Sequence, residues 1–546
     1  MNEFFLITLA AAVSMLIIPL AWRVAPRLGM VDVPDARKVH TVPVPRVGGW
    51  GIAVGCVLPL LVIFSVEPII LSYVIGVAVL FLFGLWDDAR QIGHWSKFVG
   101  QILAAGVVVY YGDLYVARLP FVDGVALGPV LGKLFTMFAL VGVINAVNHA
   151  DGLDGLAGGE SILSLIAMAF LGFTADNALV VGIALTAIGG TIGFLRYNTF
   201  PARVFMGDSG SQVLGFTMGF VVVYLTQVAN SVLSAALPLL LLGLPLADIL
   251  AVLYQRIHGG LNWFRATRNH VHHRFLDLGF SHFETVVVIY SIQAMLVVAA
   301  VVLRYQLDYV VASVYVATIA ALFLSLTVAE RRGWRMRERG VALRNVLPGP
   351  LRSLRDAPWL RRLPLALVVV LVPAFMLFSA AWVETVPSDF GAVAAVTAIV
   401  LAVEIWRRPA AASSVVRGSI YVTAAYAVYL FTHFPNSDAA WAGPMVGPTM
   451  ILLAIAVAIF IRFYSEHRFG TTPTDYLITF GALALAAFNS GSSTTGITVQ
   501  FVSYVVVLFY GCEVIIGRMA SRWHVLNWST LATLLIVASR GLLAAG

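Results

Sequence analysis

Four short stretches of the 546-residue chain concentrate carboxylate, amide and imidazole side chains. In FGLWDDARQIG, Asp87 and Asp88 are adjacent at the C-terminal end of an apolar run. There they oppose the helix dipole and repel each other, so the pair costs stability unless a cation sits with it. Successive helical side chains point about 100° apart, so the two would take different roles at one metal–phosphate site. In NAVNHADGLDGLAGG, Asn145 and Asn148 are three apart, as are Asp151 and Asp154 if a turn of helix persists, and the interleaved glycines let backbone approach a ligand. The alternate oxygens and distal Glu of an EF-hand loop are missing. In RYNTFPARVFMGDSGSQ, Asp208, Ser209 and Ser211 open an apolar run, where unpaired N–H groups favour phosphate and Asp208 could hold magnesium. Arg203 could grip an anionic oxygen or simply follow the charge rule of membrane loops. In RATRNHVHHRFLDLGFSH, His270, His272 and His273 stand amid Arg265, Arg268 and Arg274 without the cysteine or spaced carboxylate of a zinc site. That loop reads as a cationic, hydrogen-bond-donating patch for a diphosphate. Each stretch also has a plainer reading, as a solvated helix end, a glycine turn, a helix cap or a surface loop. Together they make phosphoryl-transfer equipment.

The elements that must carry these clusters are membrane helices. Hydrophobic residues make up 60% of the chain and charged ones 11%, against about 25% in a soluble domain. The mean hydropathy is +0.92. Apolar blocks of spanning length fall near 4–22, 47–66, 68–86, 97–116, 128–148, 157–174, 178–196, 210–229, 232–254, 283–303 and 309–329. About seven more follow between 364 and 543. The expectation is an all-α polytopic membrane protein, with about 11 helices in a domain at 1–330 and about 7 at 363–546. A basic linker at 331–362, with ten arginines and the helix-breaking Pro348 and Pro350, separates them. The first helix reads as uncleaved, since its arginines follow the apolar run. Cys56 and Cys512 both lie in apolar blocks and suggest no disulfide.

With the N-terminus outside, 30 of the 34 Lys and Arg residues fall on the inner face, leaving Arg118, Lys133, Arg304 and Arg540. The net charge of +7 is therefore a matter of topology and anionic lipid, and nucleic acid is excluded as a partner. All four clusters land on the inner face, which implies a substrate that lives in the bilayer. A transporter or lipid flippase would instead place charges near the midplane and show a repeat. Here the acids of the first region cluster at helix ends, with Asp248 only about two turns from the inner face, while Glu513 of the second region lies inside a span, and no repeat is seen.

In this order the clusters resemble the polyprenyl-phosphate N-acetylhexosamine-1-phosphate transferases, of glycosyltransferase family 4 type. Further matches are PDARKVHTVPVPRVGG, with Lys38 and His40, and LPLADILAVLYQR, with Asp248. The resemblance implies a helical bundle with a cytoplasmic cleft in a bacterial inner membrane. It also implies transfer of a sugar-1-phosphate from a UDP-sugar to undecaprenyl phosphate, releasing UMP and starting an envelope glycan, with magnesium or manganese as cofactor. Carried over, Asp208 and Asp88 look like metal ligands, and Asp87, Asp88, His272 and His273 like catalytic residues. Asn145, Asn148, Asp151, Asp154, Arg203, Ser209, Asp248, His270, Lys38 and His40 would bind substrate. The branch with a muramoyl-pentapeptide donor resembles a contiguous run of three histidines; here Val271 interrupts it, which is similar to the GlcNAc-type branch. A phosphate monoester is mostly dianionic at neutral pH, its second pKa being about 6. Direct in-line attack by the lipid phosphate is therefore expected, with a covalent two-step route and a homodimer left open.

Overall fold

The computed structural model describes residues 3–34, 43–121, 126–260, 269–336, 358–407, 414–434, 442–464, 495–518 and 523–543, with positions 477, 479–481 and 484. Among them, 12 helices are long and apolar enough to cross a membrane, and Gly48–Ile63, Pro444–Phe460 and Ser503–Ile516 are shorter apolar helices. The protein is all-α and polytopic, as its composition requires. Among the described residues the sheet is confined to β1 (Val31–Asp32) and β2 (Val44–Pro45), antiparallel, with Val31 opposite Pro45 and Asp32 opposite Val44.

The chain divides into two compact units, Glu3–Gly340 with Thr472–Phe488, and Val341–Thr471 with Asn489–Gly546. Thus the described residues Leu477, Thr479, Phe480, Gly481 and Ala484, expected to belong with the helices after the linker, group with the first unit. Leu477 and Ala484 are part of that unit's core, with Phe480 packed against it.

The first unit is built from α1 (Glu3–Leu28), α2 (Gly48–Ile63), α3 (Pro68–Arg90), α4 (His94–Gly106), α5 (Pro129–Ala150), α6 (Leu156–Thr174), α7 (Ala178–Asn198), α8 (Gly207–Tyr224), α9 (Leu237–His258), α10 (Val271–Asp277), α11 (His282–Val302) and α12 (Asp308–Arg331). Proline in the first turn starts α3, α5 and α9, where its missing N–H is no loss. Asn177 caps α7 by accepting from Val180 N–H at 3.0 Å, and Ser281 and Glu284 form a capping box on α11. Apolar side chains gain nothing by leaving lipid for a neighbouring helix, so these helices associate through close fit. A Cβ on Gly189 of α7 would stand 2.3 Å from the Ile7 carbonyl oxygen of α1, so those two helices meet backbone to backbone. Buried hydroxyls are returned to their own helix: Thr136, Thr191 and Thr217 donate to carbonyls one turn earlier at 2.7, 2.7 and 2.8 Å.

Three expected spans differ in detail. The fourth is α4 continued by a π-helical turn at Val107–Tyr111, and the eighth is α8 continued by a π-helical turn at Leu225–Ala229. The ninth begins at Leu237 and breaks at Gly243, whose φ of 44° and ψ of −120° leave helical space. Pro245 supplies no N–H to continue the ladder, and the freed groups are met by side chains. Leu244 N–H donates to Gln293 Oε1 at 3.0 Å, and Tyr315 O–H donates to the Gly243 carbonyl at 3.2 Å.

In the second unit the described helices are Pro358–Trp382, Ser388–Arg407, Ser414–His433, Ala442–Tyr464, Thr495–Arg518 and Trp523–Leu543. Arg540 of the last donates to the Ala380 and Ala381 carbonyls at 3.0 and 2.8 Å, closing the C-terminal end of the first.

Candidate active site

The site starts where α3 meets α8. A Cβ on Gly84 would lie 2.3 Å from Ser209 Cα, and Gly207 enters α8 with a φ of 72° that favours glycine. This closeness brings the buried Asp88 to the first turn of α8. Its Oδ1 accepts from Asp208 N–H at 2.8 Å, and its Oδ2 from Ser209 N–H at 3.1 Å and Ser209 Oγ–H at 2.7 Å. Asp88, expected among the metal ligands and catalytic groups, is thus placed as an N-cap supplied from another helix. The same contacts take up N–H groups that the sequence offered to phosphate, and they turn the Ser209 hydroxyl inward.

Asp87 points elsewhere, as adjacent helical positions must. Its Oδ2 lies 2.8 Å from Lys97 Nζ, from the first turn of α4, and Lys97 also pairs with Asp208 Oδ2. Asp208 Oδ1 accepts from Asn148 Nδ2–H at 2.6 Å, and the same amide nitrogen reaches Ser211 Oγ at 2.7 Å. Asp87 Oδ1 is buried with no hydrogen-bond partner. Of the adjacent carboxylates, Asp87 thus meets an ammonium of the protein itself, while Asp88 is satisfied by the first turn of α8. Sequence reasoning missed Lys97, counting it only towards topology; its signal was a lone lysine at the start of an apolar run. Among the described residues no group of three His, Cys, Asp or Glu is gathered as a metal cage. Two carboxylates with an amide and a hydroxyl are still the hard oxygen donors that magnesium prefers, and the unpartnered Asp87 Oδ1 is an acceptor in reserve. The residues fit an oxygen-seeking divalent ion that takes its remaining ligands from water or substrate.

The turn between α5 and α6 makes a second wall. The helix does not persist past Ala150, so Asp151 and Asp154 do not share a helical face. Asp151 ends α5 with φ −77° and ψ 59°, and Gly155 enters α6 with φ 82°. Burial, then the charges of Asp208, Asp154 and Asp88, push Asp151 up to about 7. Asp154 Oδ2 accepts from Ala202 N–H at 2.9 Å, tying this turn to the loop before α8. Asn198 Oδ1 accepts from Gly155 N–H at 2.8 Å, and Tyr290 O–H donates to the Gly155 carbonyl at 2.6 Å. Asn145 lies one turn deeper, donating to Gln101 Oε1 at 2.7 Å, so it braces α5 on α4. Arg203 is exposed on the loop before α8.

The histidines form the third wall. Asp248 of α9 accepts from His270 Nδ1–H at 2.7 Å and from Val271 N–H at 2.8 Å, which seats α10. The His270 ring stacks on His149 at 5.6 Å and on His272 at 5.7 Å, and His272 meets His273 at 4.3 Å. His149, from NHADG, is a second residue that sequence reasoning passed over. A Cβ on Gly152 would stand 2.2 Å from His272 Nε2, so the turn and the imidazole fit only because that residue is glycine. Burial, reinforced by His273, pushes His272 down to about 3, so it is a neutral imidazole. Arg274 is turned away, with Nε and Nη2 on Glu330 at 2.7 and 2.8 Å. The loop expected to be cationic therefore offers a neutral ring at His272. Lys38, His40, Arg265 and Arg268 lie outside the described residues.

The start of α2 closes the arrangement. Gly48 N–H and Gly49 N–H donate to the carbonyls of Phe205 and Met206, both at 2.9 Å, while Arg46 pairs with Asp32 across the hairpin.

A profile described as glycosyl transferase family 4 matches residues 70–226, which include Asp87, Asn148 and Asp208. A Bacillus subtilis (strain 168) protein, named as a probable undecaprenyl-phosphate N-acetylglucosaminyl 1-phosphate transferase, is 31% identical over 325 residues, covering 58% of this chain and 89% of its own. The undecaprenyl-phosphate alpha-N-acetylglucosaminyl 1-phosphate transferase of Escherichia coli (strain K12) is 30% identical over 324 residues, covering 58% of this chain and 88% of its own. That of Salmonella typhi is 31% identical over 329 residues, covering 58% and 88%. With its first unit carrying the acidic, amide and histidine clusters in family order, this chain belongs to glycosyl transferase family 4.

Proposed function

We propose that the protein transfers N-acetylglucosamine-1-phosphate from UDP-GlcNAc to undecaprenyl phosphate at the cytoplasmic face of a bacterial inner membrane, releasing UMP and starting an envelope polysaccharide. The observation that carries this reading is the pair Asp87 and Asp208, on different helices, meeting at one ammonium with a buried carboxylate oxygen in reserve. Such a centre suits two phosphate groups brought together, because it supplies fixed charge where their repulsion peaks. An oxygen of the lipid phosphate forms the new bond to the β-phosphorus, and the bond from that phosphorus to the bridging oxygen breaks, its electron pair leaving on UMP. The nucleophile is already ionised at neutral pH, so Asp87 has no proton to remove. Its part is to hold Lys97 and the phosphate in line.

Asp88 keeps the first turn of α8, and with it Asp208, at a fixed distance from α3. Asn148 orients Asp208. A magnesium ion, for which manganese could substitute, would be held by Asp208 and Asp87 with Asn148 and Ser211 beside them, and would neutralise diphosphate charge. His270, aimed by Asp248, and the neutral His272 offer hydrogen bonds to the nucleotide-sugar. Asp151, near neutrality at pH 7, can donate to a sugar hydroxyl as well as accept. The interrupted histidine run and the relatives' names favour GlcNAc over a muramoyl-pentapeptide donor. The inward bias of 30 of the 34 Lys and Arg residues supports the cytoplasmic orientation. The test is release of UMP from UDP-GlcNAc and undecaprenyl phosphate by the purified chain. Asp208→Asn and Asp87→Asn should abolish it, and turnover insensitive to a chelator would remove magnesium from the account.

A further inference from the structure

Behind the histidines, α6 carries a carboxylate that this chemistry leaves unused. Glu160 sits one turn inside the helix and is 3% exposed. The charge acting on it is that of Asp248, whose two oxygens are already taken by His270 and by Val271 N–H. No hydrogen bond from another described residue reaches the Glu160 carboxylate. A carboxyl group left so inside a helix bundle is costly unless a polar partner fills the space beside it.

That space exists. A cavity of about 20 Å³ is walled by Glu160, His272 and Asp248, with Leu244, Pro245 and Ile289 completing it. A buried water needs roughly 10–15 Å³ and two to four polar partners, so the cavity has room for one water. It lies at the break in α9, whose freed amide and carbonyl are taken by Gln293 and Tyr315 and so lay no claim on it. His272 is bounded by Gly152, His270 and His273. The cavity is where a further polar neighbour can reach its ring.

We propose that Glu160 holds one water in this cavity, that the water hydrogen-bonds to His272, and that Glu160 thereby acts as a positioning residue for the transfer. The inference rests on the transferase reading of the same site. Without the water the imidazole would keep its place in the stack but lose the contact that selects its tautomer and tilt.

The test uses the full chain in lipid nanodiscs, with Glu160→Gln, which keeps the hydrogen-bonding capacity, and Glu160→Leu, which removes it at similar volume. Turnover per mole of folded protein is measured together with the rate at which diethyl pyrocarbonate modifies His272, read by mass spectrometry with His273 as internal reference. Glu160→Leu should lower kcat about tenfold, the scale of one well-made hydrogen bond, and leave KM for UDP-GlcNAc within about twofold. It should also change the His272 modification rate several-fold, while Glu160→Gln restores both to near wild type. Equal modification rates in all three proteins would overturn the proposal. So would a Leu variant with wild-type kcat, or a Gln variant as impaired as Leu. If Leu unfolds the chain, Glu160→Met takes its place under the same criteria. If the wild type releases no UMP, the transferase reading fails on its own, and the modification rates still decide the water bridge.

Discussion

Gly152→Ala probes the tightest contact in the site. The backbone there is not left-handed, so alanine fits the turn, and the residue is exposed. The new methyl would sit 2.2 Å from His272 Nε2 and 2.4 Å from Cε1, whereas ordinary contact begins at 3.4 Å. Ring and turn must therefore separate by 1.2 Å, the difference between 3.4 and 2.2 Å. The ring can withdraw into the cavity it lines by displacing the water proposed there, so the fold should survive. A misplacement of about 1 Å at a reacting centre costs roughly 100-fold, equivalent to about 2.7 kcal/mol of barrier. Turnover of Gly152→Ala, followed as UMP release, should fall by that factor at an unchanged thermal midpoint. In a His272→Ala background the same change should cost no more than about twofold, because the clash has lost its partner. Wild-type turnover, or an equal loss in both backgrounds, would refute the argument that this imidazole position matters.

The two adjacent aspartates should separate experimentally. Asp88→Asn should lower the thermal midpoint, since its capping of α8 is worth about 0.5–2 kcal/mol, whereas Asp87→Asn should abolish UMP release and leave the midpoint in place. His272 is neutral in the fold but protonates when unfolded below its ordinary 6.5, so its burial destabilises the protein progressively as pH falls from there towards about 3. Asp151, raised to about 7, acts in the opposite sense, lending stability as pH falls through that value, so the clean readout is a comparison. His272→Asn should gain on wild type by about 1.4 kcal/mol per pH unit below 6.5, measured by denaturation, and a constant gap would contradict the buried neutral ring. A chain ending at Gly340 keeps the described site residues but loses Leu477, Phe480 and Ala484 from the first unit's core. It should turn over normally per mole of folded protein with a lowered midpoint; a well-folded but inactive chain would place part of the site beyond residue 340.

Much of the arrangement was legible in the sequence because a membrane leaves few choices. Apolar blocks had to be helices, and clusters such as Asp87–Asp88 and Asp208–Ser211 at their ends had to share a face once the charge rule set the topology. What was not legible depends on distances between helices. That Asp88 caps α8 follows from Gly84 and Gly207 letting two backbones touch, and a pair of adjacent carboxylates gives no hint which of them will turn that way. Lys97 looked like one more inward-facing charge until its reach to both Asp87 and Asp208 was seen. The spacing of Asp151 and Asp154 suggested a common helical face, but Gly152 and Gly155 end the helix and send Asp154 to Ala202. The break in α9 was hidden because a Gly-Leu-Pro inside an apolar block reads as an ordinary span until Gln293 and Tyr315 are found on its freed groups. The grouping of Leu477, Phe480 and Ala484 with the first unit is a long-range fact with no local signature.

The central claim is that a sugar leaves UDP with its phosphate attached. UDP-GlcNAc radiolabelled in the β-phosphate, incubated with the purified chain, undecaprenyl phosphate and magnesium, separates the possibilities in one extraction. Label should pass into the lipid phase in step with UMP release, and Asp208→Asn should block both. Label remaining in water as UDP while the sugar enters the lipid, or appearing as inorganic phosphate, would contradict the account.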